Sequence, residues 1–125
     1  MSEIATREGI TFEVQGQPIP KQRPRVNNGR AITPQRTRAY ETRVGWAARV
    51  AMQDREPMRG DVALVLRFKR RGRRRADLDN MTKAILDGIN GVVYLDDMQV
   101  VRLTAHVEYG ADVAGVRVVC REVEA

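Results

Sequence analysis

The chain has 125 residues, of which 42% are hydrophobic and 30% are charged, and its formal net charge is +6. This length suits one domain, residues 1–125, and the single cysteine excludes an intramolecular disulfide. No apolar run is long enough to span a membrane and the N-terminus lacks a signal-peptide pattern, so we expect a cytoplasmic protein with no membrane contact.

The first half of the chain predicts a strand, a turn and a helix. Apolar and polar residues alternate over 10–14, which indicates a strand. The prolines that follow keep the chain extended, and residues 27–29, Asn-Asn-Gly, predict a turn. A helix is predicted over 34–54, with Thr33 as its cap and Pro34 at its first helical position.

The predicted helix 34–54 has one apolar stripe. Trp46 and Val50 widen this stripe, and we expect both in the core. The stripe itself consists of residues that recur at helical spacing, namely Tyr40, Val44, Ala47, Ala48 and Ala51.

The second half of the chain predicts strands over 61–69 and 101–109, a helix over 80–90, and a last strand, 115–123, that pairs back. The arginine-rich run 70–75 is predicted to be a loop. The order β-α-β-α-β-β predicts an α+β domain, with a mixed β-sheet flanked by two main helices. We expect Cys120 in the last strand to be a buried small hydrophobe and His106 to be a surface residue without a role.

Basic residues are concentrated in two stretches. No acidic residue lies between Glu13 and Glu41, and seven of the nine residues from Arg67 to Arg75 are Arg or Lys. Such clusters favour binding to the phosphate backbone of a nucleic acid. The residues expected to bind DNA are Lys21, Arg23, Arg25, Lys69, Arg70, Arg71, Arg73, Arg74 and Arg75.

Acidic residues are concentrated directly after the arginine run. If the chain is extended there, the side chains of Asp77 and Asp79 point to one side. Asp79 or Asn80 can cap the helix that follows, and Lys83 then lies about one turn from Asp79. The pair 96–97, Asp-Asp, precedes the next strand, which can return it beside the first pair.

Carboxylates that lie close together repel one another and are costly to desolvate, and a bound divalent cation removes this free-energy cost. Mg²⁺ prefers oxygen ligands and needs only one or two carboxylates together with a substrate phosphate. The bound ion can polarise a phosphate oxygen and activate a water, and Lys83 can stabilise the charge that develops on the phosphate.

Each of these features also has a structural explanation. Asp-x-Asp-Asn is common as a helix cap, the Asp-Asp pair is typical of a turn, and Lys83 can pair with Asp79 or Asp87 on the helix surface. If these explanations account for all of the features, the chain is a non-catalytic DNA-binding module. A metal nuclease for other branched DNA, such as flaps or forks, is a further alternative.

The acidic and basic residues form one ordered pattern across 73–100. It consists of D-x-D-N, a lysine three residues later, an aspartate on the next helical turn, and an aromatic-containing link into D-D-x-Q-V. This pattern resembles the signature of the RusA family of Holliday junction resolvases, and the likeness extends over about residues 10–109. The matching residues are Asp77, Asp79, Asn80, Lys83, Asp87, Tyr94, Asp96, Asp97 and Gln99.

The resemblance implies a RusA-like fold and a homodimeric endonuclease that cuts four-way DNA junctions with paired, symmetric nicks in recombination and repair. It implies Mg²⁺ as cofactor, with Mn²⁺ as an alternative, and Lys83 as the catalytic lysine. Gln99 is expected to be structural. The metal-binding carboxylates implied by the family are Asp77, Asp79 and Asp97, with Asp96 as an alternative ligand.

Overall fold

A computed structural model describes residues 9–22, 25–32 and 34–124 of the chain. The strands are β1 (Gly9–Gln15), β2 (Arg25–Asn27), β3 (Arg30–Ile32), β4 (Val62–Arg70), β5 (Val100–Tyr109) and β6 (Gly115–Glu122). The helices are α1 (Gln35–Met52) and α2 (Leu78–Ile89), and a short 3₁₀ helix, Asp97–Gln99, precedes β5. The predicted α+β class and order of the main elements are confirmed.

The main sheet has the strand order β1-β6-β4-β5. Strand β5 runs parallel to β4, whereas β6 is antiparallel to both β1 and β4. The sheet is therefore mixed, as predicted. The prediction that the last strand, β6, pairs back with β5 is wrong. Helix α2 carries the chain across from β4 to a parallel β5, and β6 then fills the position between β1 and β4.

The core lies between the helices and one face of the sheet. Alternate residues of the strands point to this face, so Val14, Leu66 and Val118 are almost fully buried. Cys120 is buried in the same layer, as predicted, and burial raises the pKa of its thiol to about 12. His106 is exposed on the opposite face, also as predicted.

The two helices pack against each other through a glycine. A Cβ placed on Gly88 of α2 would lie 2.8 Å from the Cβ of Val44 on α1. The buried side of α1 follows a spacing of four residues, through Tyr40, Val44, Ala48 and Met52. Trp46 and Val50 lie off this line and are 65% and 72% exposed, so the expectation that they belong to the core is wrong.

Strands β2 and β3 form a hairpin that the sequence did not predict, although the turn between them was predicted. Asn28 and Gly29 both have positive φ, as a tight turn requires. Each strand has three residues, which is too short for an alternating pattern to be recognised. Pro34 is the N-cap of α1 rather than its first helical residue, and Thr33 lies outside the described residues.

Of the helices in the described part of the chain, none is both long and apolar enough to cross a membrane.

Candidate active site and DNA-binding loop

Asp77 is the N-cap of α2. Its carboxylate accepts hydrogen bonds from the backbone N–H groups of Asp79, at 2.9 Å, and Asn80, at 3.3 Å. Asp79 and Asn80, which the sequence allowed as caps, are therefore not the cap, and the chain is extended at Asp77 but helical from Leu78. Since α2 begins at Leu78, Asp79 lies in the first helical turn, where the helix dipole stabilises a negative charge.

An open concavity of about 800 Å³ lies beside the N-terminal half of α2. Asp77 and Lys83 both contribute to its wall, so the structure brings together an acidic and a basic member of the predicted site. Asp79 and Asp97 are exposed and are not among the lining residues. The lining residues are Pro20, Lys21, Gln22, Asp77, Asn80, Lys83 and Asp87.

Lys21 is held between the two helices. Its ammonium donates to Glu41 of α1 at 2.9 Å and to Asp87 of α2 at 2.6 Å. Desolvation lowers the pKa of Lys21, but these two carboxylates outweigh it and the net pKa is raised. Lys21, expected to bind DNA, thus has two protein partners. Asp87, considered as a partner of Lys83, pairs with Lys21 instead.

Asp96 and Asp97 form the start of the 3₁₀ helix that leads into β5. The Asp96 carboxylate accepts from the Met98 N–H at 2.9 Å. The Gln99 side chain accepts from the N–H groups of Leu95 and Asp96, and it donates to the carbonyls of Met58 and Gly60. The structural role predicted for Gln99 is confirmed, because its amide ties this turn to the segment before β4.

Charges from both halves of the predicted site affect the pKa of the Asp97 carboxylate. Desolvation, a hydrogen bond with Asp96 and the negative charges of Asp96 and Asp87 raise the pKa of Asp97, whereas the positive charge of Lys83 lowers it. Burial chiefly raises the pKa of the nearby Tyr94 hydroxyl, and Asp97 adds to this effect. Asp97 therefore lies within electrostatic range of Lys83, although the two residues belong to different elements.

Within the described ranges, no three His, Cys, Asp or Glu side chains are grouped closely enough to hold a metal ion. The individual donors nevertheless suit a hard cation, because Asp77, Asp79 and Asp97 are exposed carboxylates. A site that uses one or two of them together with a substrate phosphate fits this arrangement. A cage of three carboxylates within one chain is not formed here.

The arginine-rich loop is anchored at both ends. The Gly110 N–H donates to the Gly72 carbonyl at 2.6 Å, and the Ala111 N–H donates to the Arg70 carbonyl at 3.0 Å. At the other end, the Tyr109 hydroxyl bonds to both the N–H and the carbonyl of Ala76. Tyr109 was not predicted as a functional residue, because an aromatic residue at the end of a strand is most often only a packing residue.

The residues that were expected to bind DNA differ in how far their side chains are exposed to solvent. Arg70 is half-buried and donates to the Pro18 carbonyl at 2.6 Å, which assigns it a structural contact. The Arg75 guanidinium stacks 4.7 Å from the centre of the Tyr109 ring. Arg23 lies outside the described residues, and Arg25 is described only as backbone of β2. The side chains that remain exposed are those of Lys69, Arg71, Arg73, Arg74 and Arg75.

One family comparison matches almost the whole chain. A family model described as "Endodeoxyribonuclease RusA" matches residues 15–121, which include the anchored loop and every predicted catalytic residue. No curated protein matches the chain in sequence.

Proposed function

This chain belongs to the RusA endodeoxyribonuclease family of Holliday junction endonucleases, and from that premise we propose a Mg²⁺-dependent resolvase that acts as a homodimer in the cytoplasm. It makes paired, symmetric nicks in four-way junctions during DNA recombination and repair. One observation carries the proposal: Asp77 and Lys83 line one concavity beside α2, directly after the arginine-rich loop. The positive charge of Lys83 also lowers the pKa of Asp97, which supports a site that uses both halves of the acidic motif.

We propose that the oxygen ligands for the metal come from Asp77, Asp79 and Asp97, one or two of them binding it together with the substrate phosphate, with Asp96 and Mn²⁺ as alternatives. When bound, the cation would polarise the scissile phosphate and activate a water. The cap hydrogen bonds fix the orientation of the Asp77 carboxylate, and the hydrogen bonds of Asp96 and Gln99 hold the backbone of the turn that contains Asp97. The Lys83 ammonium is exposed and has no ion pair among the described residues, so it is available to stabilise charge on the phosphate.

The exposed arginines of the loop 71–75 would hold the DNA backbone beside the acidic site. This positive charge counteracts the repulsion between phosphates and the carboxylates of the site. The loop leads directly into Asp77, so DNA bound by the arginines lies next to the N-terminus of α2. Contacts of this kind position a substrate without selecting its sequence.

A homodimer follows from the symmetry of the substrate. A four-way junction has two-fold character, and its resolution without flaps needs cuts in two opposed strands. One metal site cannot make both cuts at once, whereas two subunits related by a two-fold axis can.

The substitution Asp79→Asn tests the proposed chemistry. The variant is expected to bind a static four-way junction as the wild type does and to cut it no faster than the metal-free control. The cap of α2 is retained, because Asp77 supplies it. Asp54→Asn is a matched control, since Asp54 is an exposed aspartate just beyond the end of α1. Normal Mg²⁺-dependent cutting by Asp79→Asn would overturn the proposed role.

The choice of substrate is tested with the wild-type protein. A junction resolvase is expected to cut the four-way junction in preference to a flap, a fork or a linear duplex of the same sequence. Mapping both nicks on one junction shows whether they are symmetric. Equal cutting of flaps would instead favour a nuclease for branched DNA in general.

A further inference from the structure

A second concavity, of about 550 Å³, is lined by residues of α1 and α2. It adjoins the concavity of the candidate active site, because Asp87 lines both. The ion pairs of Lys21 also connect the two, since Lys21 lines the first concavity and its partner Glu41 lines the second. A polymer bound at the active site can therefore extend into this second concavity.

Trp46 is the aromatic residue of this second concavity, and its side chain is exposed. One side of α1 faces the concavity, because the lining residues recur every three or four positions, among them Arg38, Thr42, Trp46 and Arg49. This side differs from the buried line that passes through Val44. A large ring left in water forgoes the free energy that its burial would supply. The ring is therefore outside the core and available to a ligand.

Positively charged side chains lie beside this ring. The Arg49 guanidinium lies 6.0 Å from the centre of the Trp46 ring, and Arg38 is exposed on the same side of α1. Neither arginine has an ion pair among the residues that the structure describes. The two acidic residues of the concavity, by contrast, are both bound to Lys21. An aromatic ring with unpaired arginines beside it is the combination that binds the bases and backbone of an unpaired nucleic acid strand.

Only a base with a free face can stack on such a ring. In a continuous duplex, each base is covered on both faces by its neighbours in the stack. At a branch point the stack is interrupted, so a base beside it can expose one face. Stacking on an aromatic side chain tolerates any base, because every base has a π-face. The ring therefore suits recognition of a break in the duplex rather than of a sequence.

We propose that Trp46 stacks on an unstacked base beside the branch point of bound DNA, and that Arg38 and Arg49 contact the adjacent phosphates. This rests on the proposed function, because the same DNA molecule must occupy the active site. It assigns to α1 the contact by which the chain distinguishes branched DNA from a continuous duplex. The arginines of the loop 71–75 would hold the backbone of either kind of DNA, whereas Trp46 would bind only where the stack is broken.

Tryptophan fluorescence provides the first test, because Trp46 is the only tryptophan of the chain. The full-length wild type is titrated in metal-free buffer with a four-way junction and, separately, with a linear duplex of the same sequence. The anisotropy of labelled DNA gives the fraction bound in each titration. The bound junction is expected to quench the fluorescence of Trp46, whereas the bound duplex is expected to leave it nearly unchanged.

Substitutions of Trp46 provide the second test. Trp46→Leu keeps an apolar side chain but has no aromatic face, so it is expected to weaken junction binding by about 5- to 150-fold, the range for the loss of one base stack. Its binding to the linear duplex is expected to be unchanged. Trp46→Phe is expected to retain most of the affinity for the junction. Val50→Ala is the matched control, because Val50 is also exposed on α1 but does not line the concavity.

Three results would overturn the proposal. They are an unchanged fluorescence of Trp46 when the junction is fully bound, full junction affinity in Trp46→Leu, and equal weakening of junction and duplex binding by that variant. A change in the mass of the free protein caused by Trp46→Leu, without quenching by DNA in the wild type, would show instead that another protein chain covers this side of α1.

The outcome is separate from that of the proposed nuclease, because no metal and no cleavage are involved. A wild type whose fluorescence is quenched by the junction but which does not cut with Mg²⁺ would support the stacking contact and contradict the proposed chemistry. A wild type that cuts the junction without any quenching would do the reverse. Failure to bind the junction at all would overturn both proposals.

Discussion

Arg70 and Arg74 belong to one run of basic residues but have different surroundings. The Arg70 guanidinium donates to the Pro18 carbonyl and contacts the sulfur of Met81 at 3.9 Å, so it ties the segment after β1 to α2. Its Nε is buried and has no hydrogen-bond partner among the described residues. Arg74 is exposed. Arg70 therefore stabilises the fold, whereas Arg74 is free of such contacts in the described residues and fits the proposed binding of DNA.

Alanine substitutions distinguish these two roles. Arg70→Ala is expected to lower the free energy of unfolding by about 1.5–3 kcal/mol, because a carbonyl loses a charged donor. Arg74→Ala is expected to change stability by less than about 0.5 kcal/mol and to weaken junction binding at low salt. Urea unfolding and a binding titration measure both effects. An equal decrease in stability in the two variants would contradict this assignment.

The roles of individual residues could be predicted only in part. The motif predicted that carboxylates and a lysine would gather near the start of α2, and Asp77 and Lys83 do line one concavity. It could not show which residue caps the helix, since Asp77, Asp79 and Asn80 all have suitable side chains. Nor could it show that Lys21 pairs with Glu41 and Asp87, because that contact depends on how the helices pack.

At the level of elements, the contact between α1 and α2 depends on Gly88. A methyl group at this position would approach the Cβ and Cγ1 of Val44 to 2.8 Å and the carbonyl of Glu41 to 3.1 Å. These contacts are too short, so the helices would have to move apart. Such a movement would also disturb Lys21, which bridges the same two helices.

Gly88→Ala is expected not to stabilise the protein, although alanine favours helix. The intrinsic gain is about 1 kcal/mol, but the overlap with Val44 costs about 1–3 kcal/mol, so we expect a net decrease in stability or no gain. Thermal unfolding measures the difference. Gly60→Ala is the control, because its nearest contact would be an ordinary 3.6 Å to a carboxylate oxygen of Glu122. A clear increase in melting temperature for Gly88→Ala would show that the helices separate easily.

The elements themselves were largely predictable, whereas their arrangement was not. Periodic patterns predicted both helices and the four strands of the main sheet to within a few residues. The neighbours of β6 were not predictable, because an alternating strand such as Val116 to Cys120 suits several positions in a sheet. The exposure of Trp46 was missed for a similar reason, since its spacing did not show which stripe of α1 packs inward.

At the level of the whole molecule, the net charge of +6 is unevenly distributed. Four exposed arginines lie in the loop between β4 and α2, and five acidic residues lie between Asp77 and Asp97. Positive charge therefore adjoins the acidic site directly. Association with DNA should then depend on the release of counterions from the phosphates.

Junction binding is expected to weaken steeply as salt is raised. Replacing Arg73, Arg74 and Arg75 together by glutamine should reduce the slope of log K against log salt by about 0.9 for each phosphate that is no longer neutralised. The same three positions changed to lysine form the control, because the charge and hence the slope are retained. Titrations at several salt concentrations measure the slopes. An unchanged slope in the glutamine variant would mean that other residues neutralise the phosphates.

The two hydrogen bonds between the Tyr109 hydroxyl and Ala76 separate a part of the loop with a fixed backbone from a part with exposed side chains. The backbone at Ala76, next to Asp77, is fastened to the end of β5, whereas Arg71, Arg73 and Arg74 before it have exposed side chains. The guanidinium groups can therefore adapt to the irregular path of a branched polyanion while the carboxylate next to them keeps its position. In the proposed nuclease, the Tyr109 hydroxyl would thus separate adaptable DNA contacts from a fixed catalytic carboxylate.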